Sequence, residues 1–174
     1  MEPISIVFSR ASTKFPIFSW LIMLCQRTPY SHVAIKMVDS ETGLIVFYQA
    51  SHTMVNCMGE SVFNSQETII YQFDFQVDSS LKSQSKNFAI QRLGLPYGML
   101  SILGLLLVQL ASFIGIKISN PLKDEGKTYV CSEFVADLLR SVEGINLGMI
   151  PDDITPKDLY PIVKSLPQTL NVVK

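Results

Sequence analysis

From Leu93 to Ile116 the chain carries no charged residue, and at the heart of that stretch lies MLSILGLLLVQLASFIGI. About 20 apolar residues are enough to cross the hydrocarbon core of a bilayer, so the run reaches transmembrane length. If residues 98–116 crossed a membrane once, His32 and Cys131 would be left on opposite sides and could not cooperate. Ser101, Gln109 and Ser112, with Gly104 and Gly115, dilute the run. That dilution suits a buried or interfacial helical segment over about 98–118 better than a span.

The flanking sequence reads as α+β, with strands clustered early and helices late. ISIVF at 4–8 reads as a strand, and 15–26 as a short apolar helix that stops before Thr28-Pro29. SHVAIKMV and GLIVFYQA are β-rich runs joined by DSETG, a hairpin signal. TIIYQFDF places Ile69, Tyr71, Phe73 and Phe75 at period two, hence on one face of a further strand. An amphipathic helix over 80–93 ends at LGLPYG, where Gly94 and Pro96 break the pattern. Helices are expected over 131–143, closed by Gly144, and in ITPKDLYPIVKSL, with Thr155 as N-cap and Pro156 at N1. No repeat, low-complexity tract or linker divides the chain, so residues 1–174 are expected to form a single domain.

Composition narrows the function. Lys and Arg (14) nearly balance Asp and Glu (15), which leaves no broad basic face for nucleic acid or anionic lipid. Three cysteines are an odd number without CxxC spacing, and two histidines are too few for an ordinary zinc cluster, so no metal is expected. A reduced compartment or a free reactive thiol fits better than a disulfide framework. MEPISIVFSR has no basic leader region, so no signal peptide is expected and the protein reads as cytoplasmic, virion-associated or peripheral to a membrane.

The stretch KTYVCSEFVADLL runs a short β-type segment into an apolar helix and sets Cys131 at the join. Cys131 shares a helix face with Phe134, Val135 and Leu138, while Glu133, Asp137 and Arg140 point elsewhere. Buried free cysteine often serves only as packing. At the first turn of a helix, however, the unpaired N–H groups and the positive end of the dipole favour thiolate over thiol and can help hold an oxyanion. A nucleophilic thiol needs a base. His32 opens a β-run, which gives its imidazole a rigid orientation, whereas His52 follows the next strand and reads as nearer a loop. If Asp39 to Gly43 form the hairpin loop, Val38 faces Leu44 and His32 falls opposite Ala50, so a one-residue bulge would bring Gln49 or Ser51 alongside the ring. Gln49 would fix the tautomer by accepting the other ring N–H, without balancing an imidazolium as a carboxylate does.

Taken together, RTPYSHVAI followed by a hairpin, LGLPYG, YVCSEFVADLL and ITPKDLYP resemble the YiiX/YebB-like branch of the NlpC-type cysteine hydrolases, from about Phe8 to Tyr160. The resemblance implies a circularly permuted papain-like fold, an antiparallel sheet packed against helices, with the histidine strand preceding the cysteine helix. It implies Cys131 as nucleophile, His32 as general base and then acid, and Gln49 as orienting residue where relatives often carry a glutamate. Tyr97 of LPYG matches a recurrent tyrosine that lines the site or donates to an oxyanion. The related lecithin:retinol acyltransferase-like group uses a second histidine, which keeps His52 as a candidate. No metal or organic cofactor is implied. The substrates implied are amides of cell-wall stem peptides or, alternatively, lipid esters taken by a thioesterase or acyltransferase. A third expectation is a non-enzymatic docking module of a larger assembly, such as a phage virion, held through the apolar segment 98–116.

Overall fold

The computed structural model describes residues 2–12, 17–51, 53–98, 128–143, 145, 147–148 and 154–170, with isolated positions between 104 and 121. Most of the apolar segment at 98–118 therefore lies outside the described residues, as do His52 and Gly144. Among the described residues no helix is long and apolar enough to cross a membrane.

Alternation in the first strand sets the architecture. In β1 (Glu2–Ala11), Ile4, Ile6 and Phe8 point to one side and Ser5, Val7 and Ser9 to the other, and all six are buried. A strand buried on both faces belongs in the middle of a sheet. β1 pairs antiparallel with β2 (His32–Val38) and β5 (Glu67–Val77). β3 (Ile45–Ser51) and β4 (Met54–Gly59) extend the sheet beyond β2, and β6 (Thr169–Leu170) closes the other edge, giving the order β4-β3-β2-β1-β5-β6. β6 runs parallel to β5, so the sheet is mixed rather than wholly antiparallel as expected. The chain reaches that edge through a helical crossover, which delivers β6 in the direction of β5.

Five helices are present among the described residues: α1 (Ile17–Gln26), α2 (Glu60–Gln66), α3 (Ser79–Gln91), α4 (Cys131–Glu143) and α5 (Pro156–Ser165). Asp78 caps α3 by accepting the Leu81 N–H, and Thr155 and Asp158 form a reciprocal capping box at α5 with Pro156 in its first turn, as expected. Helices α3, α4 and α5 cover one sheet face. Leu81, Phe88, Phe134, Leu138 and Leu159 pack there in one cluster with Ile6, Phe8, Val33 and Ile35. Each such side chain contributes roughly 1.5–3 kcal/mol through burial. On the opposite face Val7, Ala34, Phe47 and Phe63 form a smaller cluster, with the Phe47 and Phe63 rings stacked at 3.9 Å under α2.

Two details depart from the alternation read in the sequence. In the β2–β3 hairpin Val38 pairs with Ile45 and Met37 with Val46, one residue later than expected. Leu44 belongs to the turn because the Asp39 carboxylate gathers the N–H groups of Glu41 and Thr42, while the Asp39 N–H donates to the Leu44 carbonyl. In β5 a bulge lies opposite Phe8 and Ser9: Phe8 pairs with Tyr71, but Ser9 pairs with Ile69. The extra residue sends Ile69 to the smaller cluster, while Ile70 and Phe73 pack on the main core. Ile69 thus does not share a face with Phe73 and Phe75.

Because β1, β2, β3, β4 and β5 alternate in direction, the end of β1, the start of β2, the β3–β4 junction and the start of β5 all lie at one end of the sheet. That end holds the residues considered next.

Candidate active site

His32 is the first residue of β2, and Gln49 lies on β3. In the observed register Lys36 faces Phe47. The observed pairing ends at Ile35 and Tyr48; one further step would set Ala34 across from Gln49, with His32 and Gln49 as diagonal neighbours on one face. The two side chains meet: His32 Nε2 lies 2.7 Å from Gln49 Oε1, and both are buried. The Gln49 amide nitrogen donates to Asn56 Oδ1 at 3.3 Å and lies 3.6 Å from the Met58 sulfur. With the NH2 so engaged, Oε1 must face the ring, and His32 Nε2 must carry hydrogen. Nδ1 is then the ring nitrogen left for the thiol.

Cys131 is the first residue of α4 and is 4% exposed. Its sulfur lies beside the His32 ring and the Tyr97 hydroxyl, close enough to govern the ionisation of both. The lead-in to the helix is held tightly. Glu133 accepts the Val130 N–H at 3.2 Å, consistent with its expected structural role, although the side chain is buried rather than turned to solvent. Arg92 stacks on Phe88 at 3.5 Å, donates to the Tyr129 hydroxyl at 2.9 Å and pairs with Asp137 at 3.2 Å, tying α3 to α4 just behind the cysteine.

Tyr97 is carried by the LGLPYG loop. Gly94 takes a positive φ of 83°, a conformation with little penalty for glycine. The loop then adds itself to β4: Val55 exchanges hydrogen bonds with Leu95 and Gly94, and the Tyr97 N–H donates to the Thr53 carbonyl at 2.9 Å. On its other side the Tyr129 N–H donates to the Pro96 carbonyl, and the Gly98 N–H to the Tyr129 carbonyl. The phenol is thereby sewn between β4 and the residues preceding Cys131.

The electrostatics follow from these contacts. Burial is the strongest influence on His32 and opposes its charged form. The Cys131 hydrogen bond and negative charge, the charge of Glu67 and the Gln49 hydrogen bond outweigh it, and the ring is pushed up from 6.5 to about 9. For Tyr97, burial, then the charge and hydrogen bond of Cys131, then the charge of Glu67, hold the phenol well above its ordinary value. Tyr97 is therefore a protonated donor near neutral pH.

The expected constellation of Cys131, His32, Gln49 and Tyr97 is thus brought together, whereas His52 lies outside the described residues. Two further participants went unread in the sequence. Asn56, in a strand with no clean hydrophobic period, orients the Gln49 amide. Glu67 accepts the Ser9 hydroxyl at 2.8 Å, and Ser9 faces His32 across the β1–β2 ladder. The bulge in β5 decides which face Glu67 takes, and no alternation pattern could announce it. At the far end of the sheet a cleft of about 150 Å³ is lined by Glu2, Asp39, Lys82 and Lys86, whose charges pair with one another. Among the described residues no group of three or more His, Cys, Asp or Glu side chains is placed to hold a metal ion. No protein-family model matches the chain, and a search of the curated proteins finds no match.

Proposed function

We propose that the protein is a cysteine hydrolase of the permuted papain-like, NlpC-type class, cleaving an amide by way of a thioester. The observation that carries this reading is the chain of contacts from the Cys131 sulfur through the His32 ring to Gln49, with the sulfur at a helix N-terminus. The order of elements, histidine strand before cysteine helix, supports the permuted fold.

In this mechanism the Cys131 thiolate attacks the carbonyl carbon of the substrate, and the electron pair of the C=O bond moves onto oxygen. The first-turn N–H groups of α4 and the Tyr97 hydroxyl receive that oxyanion. As the tetrahedral intermediate collapses, the C–N bond breaks and His32 delivers its Nδ1 proton to the departing amine. His32 then takes a proton from water as the water attacks the thioester carbonyl. The carboxylic acid departs and the thiolate–imidazolium pair is restored. Gln49 keeps the ring in one orientation throughout, and Glu67 supplies the negative charge that a neutral amide lacks. Stem-peptide amides of the bacterial cell wall are the substrate class proposed.

Accessibility gives the test its force. Cys57 is exposed, Cys25 half-buried and Cys131 buried, so steric access alone would have iodoacetamide label them in that order. The mechanism requires the reverse, with Cys131 fastest and its lead lost in His32→Ala. Labelling in the order of exposure would overturn the reading. Lipid acyl esters are the second substrate class, favoured by the exposed apolar side chains of α1 described below, and turnover of an acyl ester in place of a peptide amide would select it.

A further inference from the structure

We infer that α1 is a docking helix for an anionic lipid surface. Helix α1, IFSWLIMLCQ, contains no charged residue, yet it lies on the outside of the molecule. Ile17 (69% exposed), Phe18 (55%), Trp20 (58%) and Leu24 (56%) stand in solvent on one broad face. The helix is held to the body at polar points instead. The Ser19 and Ser31 hydroxyls are hydrogen-bonded to each other, and Gln26 accepts the Lys157 N–H at the start of α5. Arg27, in the left-handed region at φ 54°, then ends the helix.

The charges around this face identify what covers it. Between Glu2 and Asp39 the sequence holds no carboxylate; Arg10, Lys14 and Arg27 fall on either side of α1, while Lys36 is paired with Glu60. Arg10 and Arg27 are exposed and flank the helix in sequence, and exposed Lys157 sits beside its C-terminal end. An apolar face with a basic rim matches a membrane interface, where a plane of anionic headgroups overlies hydrocarbon. A protein partner would call for about one hydrogen bond per 100–200 Å², and the four exposed side chains of α1 offer only the indole N–H. Ten residues at ~1.5 Å each are about 15 Å, so α1 lies in the interface and does not cross a ~30 Å core. The Ser19–Ser31 contact sets this helix next to the strand that begins with His32, so docking would hold the candidate site close to the headgroup plane.

Trp20 is the only tryptophan in the chain, which makes its emission a direct report on this face. The full chain is mixed with vesicles of phosphatidylglycerol and phosphatidylcholine in equal parts, and separately with phosphatidylcholine alone. Trp20 emission should shift to the blue, and the protein should float, with the anionic vesicles and far less with the neutral ones. In Phe18→Ser/Leu24→Ser the partition should fall by ~10-fold or more, and in Arg10→Gln/Arg27→Gln by about 5-fold per cation, with circular dichroism unchanged. Emission unaltered by anionic vesicles would overturn the inference. So would a blue shift that needs only higher protein concentration, because a second copy would then be the occupant. Neither readout involves turnover, so failure here would leave the proposed hydrolase untouched.

Discussion

Replacing Cys131 by alanine should change the pH at which His32 loses its proton, whatever the substrate. Folded, His32 keeps its proton up to about 9; unfolded, it releases it near 6.5. Between those limits the folded ring holds a proton that the unfolded ring has released, and at ~1.4 kcal/mol per pH unit its surroundings favour the charged ring by about 3 kcal/mol, fully so below 6.5 and no longer above about 9. Cys131→Ala removes the hydrogen bond and the charge that lift the ring most, and leaves burial, the largest influence, opposed only by Glu67 and Gln49. The ring should then release its proton well below 9. NMR shifts of the His32 ring protons, followed across this range in the two proteins, measure the difference directly, with only one other histidine in the chain to assign. Identical titration curves for the two proteins would refute the coupling of thiol and imidazole.

Three other perturbations probe separate links. Gln49→Leu leaves the His32 Nε2 hydrogen buried without its acceptor, which should cost about 1–3 kcal/mol in urea unfolding and slow alkylation of Cys131. Phe63→Ala removes one member of the stacked pair that holds α2 to the sheet, and should lower stability by about 3–5 kcal/mol while leaving the Cys131 alkylation rate unchanged. Substrate turnover, once an amide is identified, should decline as pH rises through about 9, because His32 then lacks the proton it gives the departing amine; a rate that stays flat there would mean another group is the acid.

Much of the architecture was legible because it rests on local rules. A short β-type apolar run marked β1, a capping residue and proline marked the start of α5, and an apolar stripe marked α4. The segment TMVNCMGESVFNSQ was silent because β4 and α2 share it and neither runs long enough to establish a period. β6, two residues long, exists only because β5 offers an edge. The meeting of His32 with Gln49 was anticipated, but from a hairpin register one residue off, since Asp39 lengthens the turn and resets the pairing. The bulge that does occur lies between β1 and β5, and it aligns Glu67 with Ser9. Register and bulges are decided by tertiary pairing, which a single-sequence pattern does not contain.

The groups of the candidate site come from β2, β3, the 94–98 loop and α4, and the imidazole and the sulfur are about a hundred residues apart in the chain. Under the proposed function none of these segments could activate the thiol alone, and their assembly awaits the slow, long-range closure of the sheet. During synthesis and folding Cys131 would then behave as an ordinary cysteine, chemically quiet among the cell's own amides. Completion of the tertiary structure would itself be the step that switches the proposed chemistry on.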